Sequence, residues 1–268
     1  MLGNLPESSF KAVNDLYDDA VQPGAKQVGS AIETVAKALN LLLMPFKALS
    51  DVVDIKYKKF IEDFEQRVKT IPPEHITVPE LATIGPALSD LRFSLDEEDI
   101  RSIYLNLLVQ AVDDRNDRLN LRIFVQIVKQ LSPFEARLWK HLFKNKENHP
   151  VATLRLLCIP SERHSFQKIF GQQWSTLVTD IVFEDASDEL LDLSLQNFSR
   201  LGLIEFKQGH ALSEERYSYI TESKIYAEAS NKLGTVSEIG STLNRIEAEK
   251  HCFYMTSIGE AFLEICFS

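Results

Sequence analysis

The stretch Leu131-Ser-Pro-Phe-Glu-Ala-Arg-Leu-Trp-Lys-His-Leu142 narrows the folding options of this chain more than any other. Ser132 suits an N-cap. Pro133 suits the first helical position, where a missing N–H costs nothing, and Glu135 can reach back to the cap. Phe134, Leu138 and Leu142 then recur every four residues on one face. Before this helix start the apolar pattern is helical throughout. After it, helical runs mix with short alternating ones. The spacing therefore predicts a mainly α protein: an N-terminal helical domain over residues 1–131 with a long amphipathic helix, and a winged-helix-like α+β domain with an enlarged wing over 132–268.

In the first half, Ser8 or Ser9 can open a short helix to Val21, closed by Gln22-Pro23-Gly24. A helical pattern follows from Ala25 to Ile71. Val28, Ile32, Val35, Leu39, Leu42, Phe46, Leu49 and Val53 alternate spacings of four and three, a coiled-coil-like seam. The register slips by four to Tyr57 and resumes at Phe60 or Ile61, Phe64 and Val68. Pro45 predicts a kink or break near Met44. The uncharged run Ala38–Phe46 is far short of the roughly 20 residues that span a bilayer. Packing in a soluble bundle is the favoured reading of this segment. Contact with a membrane surface is the lesser one, resting on the amphipathic pattern and the small pair Ala25 and Gly29.

Pro72-Pro73 ends that pattern. Pro79-Glu80 opens a short helix carrying Leu81, Ile84, Leu88 and Leu91, interrupted at Gly85-Pro86 by a kink or a tight crossing. Ser94-Leu-Asp-Glu97 has the form of a second capping box. It would open a helix with Ile100, Ile103, Tyr104, Leu107, Leu108 and Ala111 on one face. Asp96, Glu97, Glu98 and Asp99 crowd its first turn, where the helix dipole favours negative charge. The run Asp113–Arg118 carries acids at alternate positions of a calcium loop. It has an Arg where a ligand belongs, no central Gly and no closing Glu, so a charged, solvated loop is expected. Asn120–Leu131 is helical again, with Phe124, Ile127, Val128 and Leu131 inward.

In the second half, the Pro133 helix should end near Asn145. Val151–Ile159 fits a strand or a helix. Residues 160–186 look irregular, with Phe166, Phe170 and Trp174 on one small helix. Ser187 caps a helix whose apolar side is Leu190, Leu191, Leu193, Phe198 and Leu201, ended by Gly202. Leu203–Phe206 alternates like a strand. His251–Thr256 is its expected antiparallel partner. Thr256 can cap a last helix with Ile258, Phe262, Leu263 and Ile265. The interval 207–250 would be the enlarged wing, with helices over Thr221–Lys232 and around Val236–Lys250.

A winged helix invites a nucleic-acid reading, and the charges oppose it. The net charge is −10. The helix in the recognition position carries Asp188, Glu189 and Asp192 against Arg200, and only Gln196 and Asn197 suit base edges. The cysteines Cys158, Cys252 and Cys266 are far apart, which fits a reducing cytosol. The N-terminal residues carry no secretory pattern. None of the six histidines stands at a zinc-ligand spacing. There is no Gly-x-Ser-x-Gly elbow, phosphate loop or dinucleotide fingerprint. His164 with Cys158, or His251 with Cys252, could be imagined as a nucleophile pair; the second is poor, because neighbours on a strand point to opposite faces. No catalytic, cofactor-binding or metal-binding residue is predicted, and no cofactor.

Several words recur together: Leu16-Tyr-Asp-Asp-Ala-Val-Gln-Pro-Gly-Ala-Lys-Gln-Val-Gly29, Pro72-Pro-Glu-His-Ile-Thr-Val-Pro79, Gly85-Pro-Ala-Leu-Ser-Asp-Leu-Arg92, Tyr104-Leu-Asn-Leu-Leu108, Phe124 through Ala136, Arg200-Leu-Gly-Leu203 and Thr256-Ser-Ile-Gly259. In this order they resemble the abortive infection alpha (Abi-alpha) family of bacterial proteins. The resemblance implies a bacterial protein associated with phage defence and carries no catalytic residues to transfer. With the residue reading it leads to a non-enzymatic, cytoplasmic defence protein whose helical half binds a protein partner or itself through the 28–53 seam, and whose winged helix senses or docks. The alternative is a membrane-perturbing effector that uses the amphipathic 25–53 segment and sits peripherally on the membrane once activated. A winged-helix transcription regulator stands behind both.

Overall fold

A tyrosine hydroxyl breaks the long N-terminal pattern. Tyr57 donates to the Ala36 carbonyl at 3.1 Å. On one straight helix these residues would lie about 31 Å apart, at 1.5 Å per residue. Ala36 and Tyr57 therefore do not lie on one straight helix. The computed structural model describes residues 33, 36, 37, 51–79, 81–116, 121–144, 147–157, 176–235 and 242–267. The expected helix up to Val21, most of the 28–53 seam, and Phe166, Phe170 and Trp174 lie outside them. The chain divides into two compact units, Met1–Lys140 with Ala261–Ser268, and His141–Glu260.

In the first unit, α1 (Asp51–Val68) buries Tyr57, Phe60, Phe64 and Val68 at the expected spacing. Helix α2 (Leu81–Ser94) buries Ile84, Leu88 and Leu91. It runs unbroken through Pro86, whose ring is exposed, so Gly85-Pro86 does not interrupt it. Helix α3 (Glu98–Ala111) packs on α1, α2 and α4 (Leu121–Val128). The Ser94 capping box does not form. Ser94 is the last residue of α2, and α3 starts behind Glu97 with no side-chain cap. The turn between them is pinned by buried Leu95, and Glu98 and Asp99 meet the helix dipole instead.

Helix α3 buries more than its predicted face. Leu105 and Asn106 are buried as well, because a further element covers that side. The Asn106 amide donates to the Cys266 carbonyl at 2.7 Å, and its oxygen accepts from Arg67. Helix α5 (Pro133–Leu142) starts as its sequence demands. Glu135 N–H donates to the Ser132 hydroxyl at 3.2 Å, and the Glu135 carboxylate accepts from Ser132 N–H at 2.8 Å. Trp139 is fully buried and meets Phe262 edge-on at 5.9 Å.

The second unit is built on an antiparallel sheet in the order β2-β1-β4-β3. Strand β1 is His149–Leu157, which settles the open choice for that run. Strand β2, Thr176–Thr179, falls where only irregular chain was expected. Helix α6 spans Asp188–Arg200, and strand β3 Ile204–Lys207. Two short helices, α7 (Tyr219–Glu222) and α8 (Lys224–Asn231), precede strand β4 (Arg245–Met255). The last helix, α9, is Ser257–Cys266.

The helix expected around Val236–Lys250 is replaced from Arg245 onward by β4, while 236–241 lie outside the described residues. Ile246 and Ala248 alternate, and β4 pairs residue for residue with β1 from Arg245↔Leu157 to Phe253↔His149. A nine-pair ladder outweighs local helix preference. The expected partner of β3 is correct, with Phe206 opposite Phe253.

Helix α6 is capped by Ser187, whose hydroxyl accepts from Leu190 N–H at 3.2 Å. It closes at Gly202, where φ is +74°, with Leu203 N–H on the Phe198 carbonyl at 2.9 Å and Gly202 N–H on that of Ser199 at 3.0 Å. Its buried side is Leu191, Leu195 and Phe198. Leu190 and Leu193, expected inward, face solvent at 41% and 59% exposure. At 100° per residue Leu190 sits somewhat more than a quarter turn off the 191–195–198 line and Leu193 almost half a turn off it. In α9, Ile258 is likewise exposed, while Phe262 and Ile265 are buried.

Candidate functional site

The two faces of the sheet differ in chemistry. Ala152, Leu154 and Val178 point to one face, where Tyr217, Ile220 and Ile225 cover them. On β1 and β4 the alternate residues point the other way. There Thr153 pairs with Glu249 and Val151 with His251. Helix α6 packs against the outer strands β2 and β3. Between α6 and the polar face lies a cleft of about 230 Å³. Thr153, Leu177 and His251 line it from the sheet, and Asp192 and Gln196 from α6. Phe206 and Gln208 complete the lining.

His251 is the central group, and it is only 6% exposed. After β3 the chain turns through Gly209, whose φ of +71° favours glycine. That turn brings Gly209 N–H to the imidazole Nδ1 at 3.3 Å. Nδ1 is thus the acceptor, and the ring proton resides on Nε2. The carboxylate nearest to Nε2 is Glu249, at 3.9 Å, beyond hydrogen-bond reach. The His251 carbonyl accepts from the Tyr217 hydroxyl, which accepts in turn from Leu212 N–H at 3.0 Å. Arg155 Nη2 lies 2.5 Å from Glu249 Oε2. The two form an ion pair, although the contact is not aligned as a hydrogen bond and Arg155 Nε stays buried with no acceptor. Gln196 donates to Asp192 at 2.8 Å, which holds both on the cleft side of α6.

The arrangement can donate and accept hydrogen bonds, but it holds no activated nucleophile. Cys252, next along β4, stands opposite Lys207 and Pro150 on the other side of the strand. Burial pushes its thiol up, away from thiolate chemistry. Cys158 and His164 lie outside the described residues. A second depression, lined by Asn148, Lys207, Tyr254, Met255 and Glu260, is wide open. Its one ammonium, that of Lys207, lies over the Tyr254 ring and beside Glu205.

A separate polar cluster forms in the first unit. Thr77 N–H donates to the Val112 carbonyl at 2.9 Å, and Ile76 bridges Asp113. This brings His75 Nδ1 to 2.9 Å from Asp114. The Arg115 guanidinium grips Asp113 through Nε at 2.8 Å and Nη2 at 2.5 Å. Those hydrogen bonds hold the Asp113 carboxyl below the usual carboxylate range, with His75 adding to the effect. Asp113 is 7% exposed, so the expected solvated loop is instead tied to the Pro72–Pro79 segment. Among the described residues no group of three or more His, Cys, Asp or Glu is placed to hold a metal ion. Nor is any helix among them long and apolar enough to cross a membrane.

No catalytic, cofactor or metal residue was predicted from sequence, and the cleft was missed. A glycine turn directly after β3, opposite a histidine on the partner strand, is the signal that could have found it. Two of the recurring words do meet in space. The Thr256 hydroxyl donates to the Gly202 carbonyl at 2.6 Å and accepts from Gly259 N–H at 3.1 Å. No curated protein and no solved structure matches the chain. A family model described as abortive infection alpha matches residues 54–266, which hold every recurring word from Pro72 onward. This chain belongs to the abortive infection alpha family.

Proposed function

We propose that this protein serves abortive-infection phage defence without catalysis, by docking a protein partner through the outer face of α6. The observation that carries this is the pair Leu190 and Leu193, exposed at 41% and 59% on a helix otherwise well packed. Exposed Asp188 and Glu189 flank them. A basic segment with an apolar anchor is the complementary partner. In the winged-helix-like reading of this unit, α6 holds the recognition position. There it presents three acids and one cation, Arg200, whose guanidinium is engaged by Asn197 at 2.6 Å. That charge favours a protein over a nucleic acid. The free, buried thiols of Cys252 and Cys266 suit a reducing cytoplasm.

The test is a phage challenge of bacteria expressing the protein, at low and high multiplicity. Survival at low multiplicity and collapse at high multiplicity is the expected result. The double variant Leu190→Ser/Leu193→Ser should melt like the wild type, lose protection and lose the partner recovered by crosslinking in infected cells. Full protection by that variant would overturn the docking face. No protection by the wild type across a broad phage panel would overturn the defence role. Saturable, salt-sensitive DNA binding would favour a regulator instead.

A further inference from the structure

We propose that the cleft between α6 and the polar face of the sheet binds a small, flat, uncharged heterocycle with both hydrogen-bond donors and acceptors, the chemistry of a nucleobase or nucleoside. This goes beyond the docking face, whose Leu190 and Leu193 lie about a third of a turn around α6 from Asp192 and Gln196. The cleft is concave, and at about 230 Å³ it is smaller than the usual drug-sized pocket. A ring-sized ligand fits it.

The imidazole of His251 carries the inference. It is almost wholly buried, yet its Nε2–H has no acceptor within hydrogen-bond distance and opens on the cleft. A ligand acceptor placed there would give this donor the partner that the protein does not supply. The side chains of Thr153 and Gln208 make no hydrogen bond to the protein among the described residues, so each can engage a ligand. Asp192 spends one carboxylate oxygen on Gln196 and keeps the other for a ligand N–H. Phe206 supplies a ring against which a flat molecule can lie. The charges set the class further. Asp192 and Glu249 contribute two negative charges, and Arg155 is already paired to Glu249. A phosphate would meet repulsion, with no free cation among the described residues that line the cleft to answer it.

The experiment is nitrogen-15 NMR of the full chain, following the assigned His251 Nε2 resonance. Adenosine, cytidine, guanosine and uridine are added singly at millimolar concentration, each with its 5′-monophosphate as the charged counterpart. The expected result is a saturable shift of that resonance by at least one nucleoside, with the monophosphate binding more weakly. Asp192→Ala and Gln208→Ala change exposed or half-exposed side chains and should leave the fold intact. Each should weaken the binding by about tenfold, the worth of one well-placed hydrogen bond. No shift with any probe would overturn the site. Binding unchanged in both variants would place the ligand elsewhere. Equal or tighter binding of the monophosphate would overturn the assignment of an uncharged ligand.

Discussion

In the helical unit the buried side chains of Asn106 and Asp113 are held by hydrogen bonds, whereas in the sheet unit the buried His251 imidazole keeps one nitrogen open. Asn106 spans Arg67 and Cys266, and Asp113 is clasped by Arg115. In the sheet unit Ser194 donates to the Leu190 carbonyl at 2.8 Å, but His251 presents Nε2–H to a cleft. A fully satisfied network rigidifies a fold, and an unsatisfied one marks a place built for something else. The difference separates a structural core from a candidate binding surface within one chain.

The comparison breaks most decisively at Phe262. Its ring lies among Trp139, Phe124 and Phe267 at 5.9, 6.0 and 5.7 Å. Phe262→Ala should cost about 3–5 kcal/mol in chemical denaturation. A loss below about 1 kcal/mol would show that this core is not close-packed. Asn106→Ala leaves the Cys266 carbonyl without its donor and should cost about 1–3 kcal/mol. Gln208→Ala, at the cleft, should cost under about 0.5 kcal/mol. Equal losses at these two positions would erase the distinction between the units.

Gly202→Ala tests the joint between the last turn of α6 and Thr256. The nearest atom to a new Cβ would be Ile258 Cδ1 at 3.9 Å, an ordinary contact, so the penalty is backbone strain alone. About 1–2 kcal/mol is expected, read as a lower urea midpoint. Ser132→Ala removes a cap and should cost about 1 kcal/mol, with Glu135→Gln milder than the loss of the hydroxyl.

Acid sharpens the contrast with the smallest effects. Burial lowers the pKa of His149, so the folded state favours its neutral form. Stability from this group is full above the unfolded value near 6.5 and falls as the pH drops below it. Asp113 is also lowered, chiefly by its Arg115 hydrogen bonds. Its contribution is full above about pH 4 and is lost as the pH falls through the depressed folded value. Denaturation curves of His149→Gln and Asp113→Asn should each lose their pH slope in one window only. Both variants losing slope in the same window would refute this assignment.

Much of the architecture was legible because its signals are local. Ser132 with Glu135, Ser187, Gly202 and Thr256 each act within one turn of chain, where capping geometry depends on few neighbours. The inward faces of α1 and α4 followed from period alone. Where the reading failed, distant residues had the deciding vote. Leu190 and Leu193 look as apolar as Leu191 and Leu195, and only the position of the sheet tells which pair is covered. Ser94 had the letters of a cap, but the fold used it to end α2.

What the sequence determined by itself is the starts of the helices at Pro133, Asp188 and Ser257, the pairing of β3 with β4, and an acidic character that disfavours phosphate. The tertiary structure alone decided that residues 245–250 extend in a strand, that Tyr57 reaches Ala36, and that His251 faces a cleft. The reason is physical. Caps and periods are settled over one or two turns of backbone. A strand, a buried asparagine or an open imidazole takes its meaning from partners up to 160 residues away in sequence, such as Cys266 for Asn106.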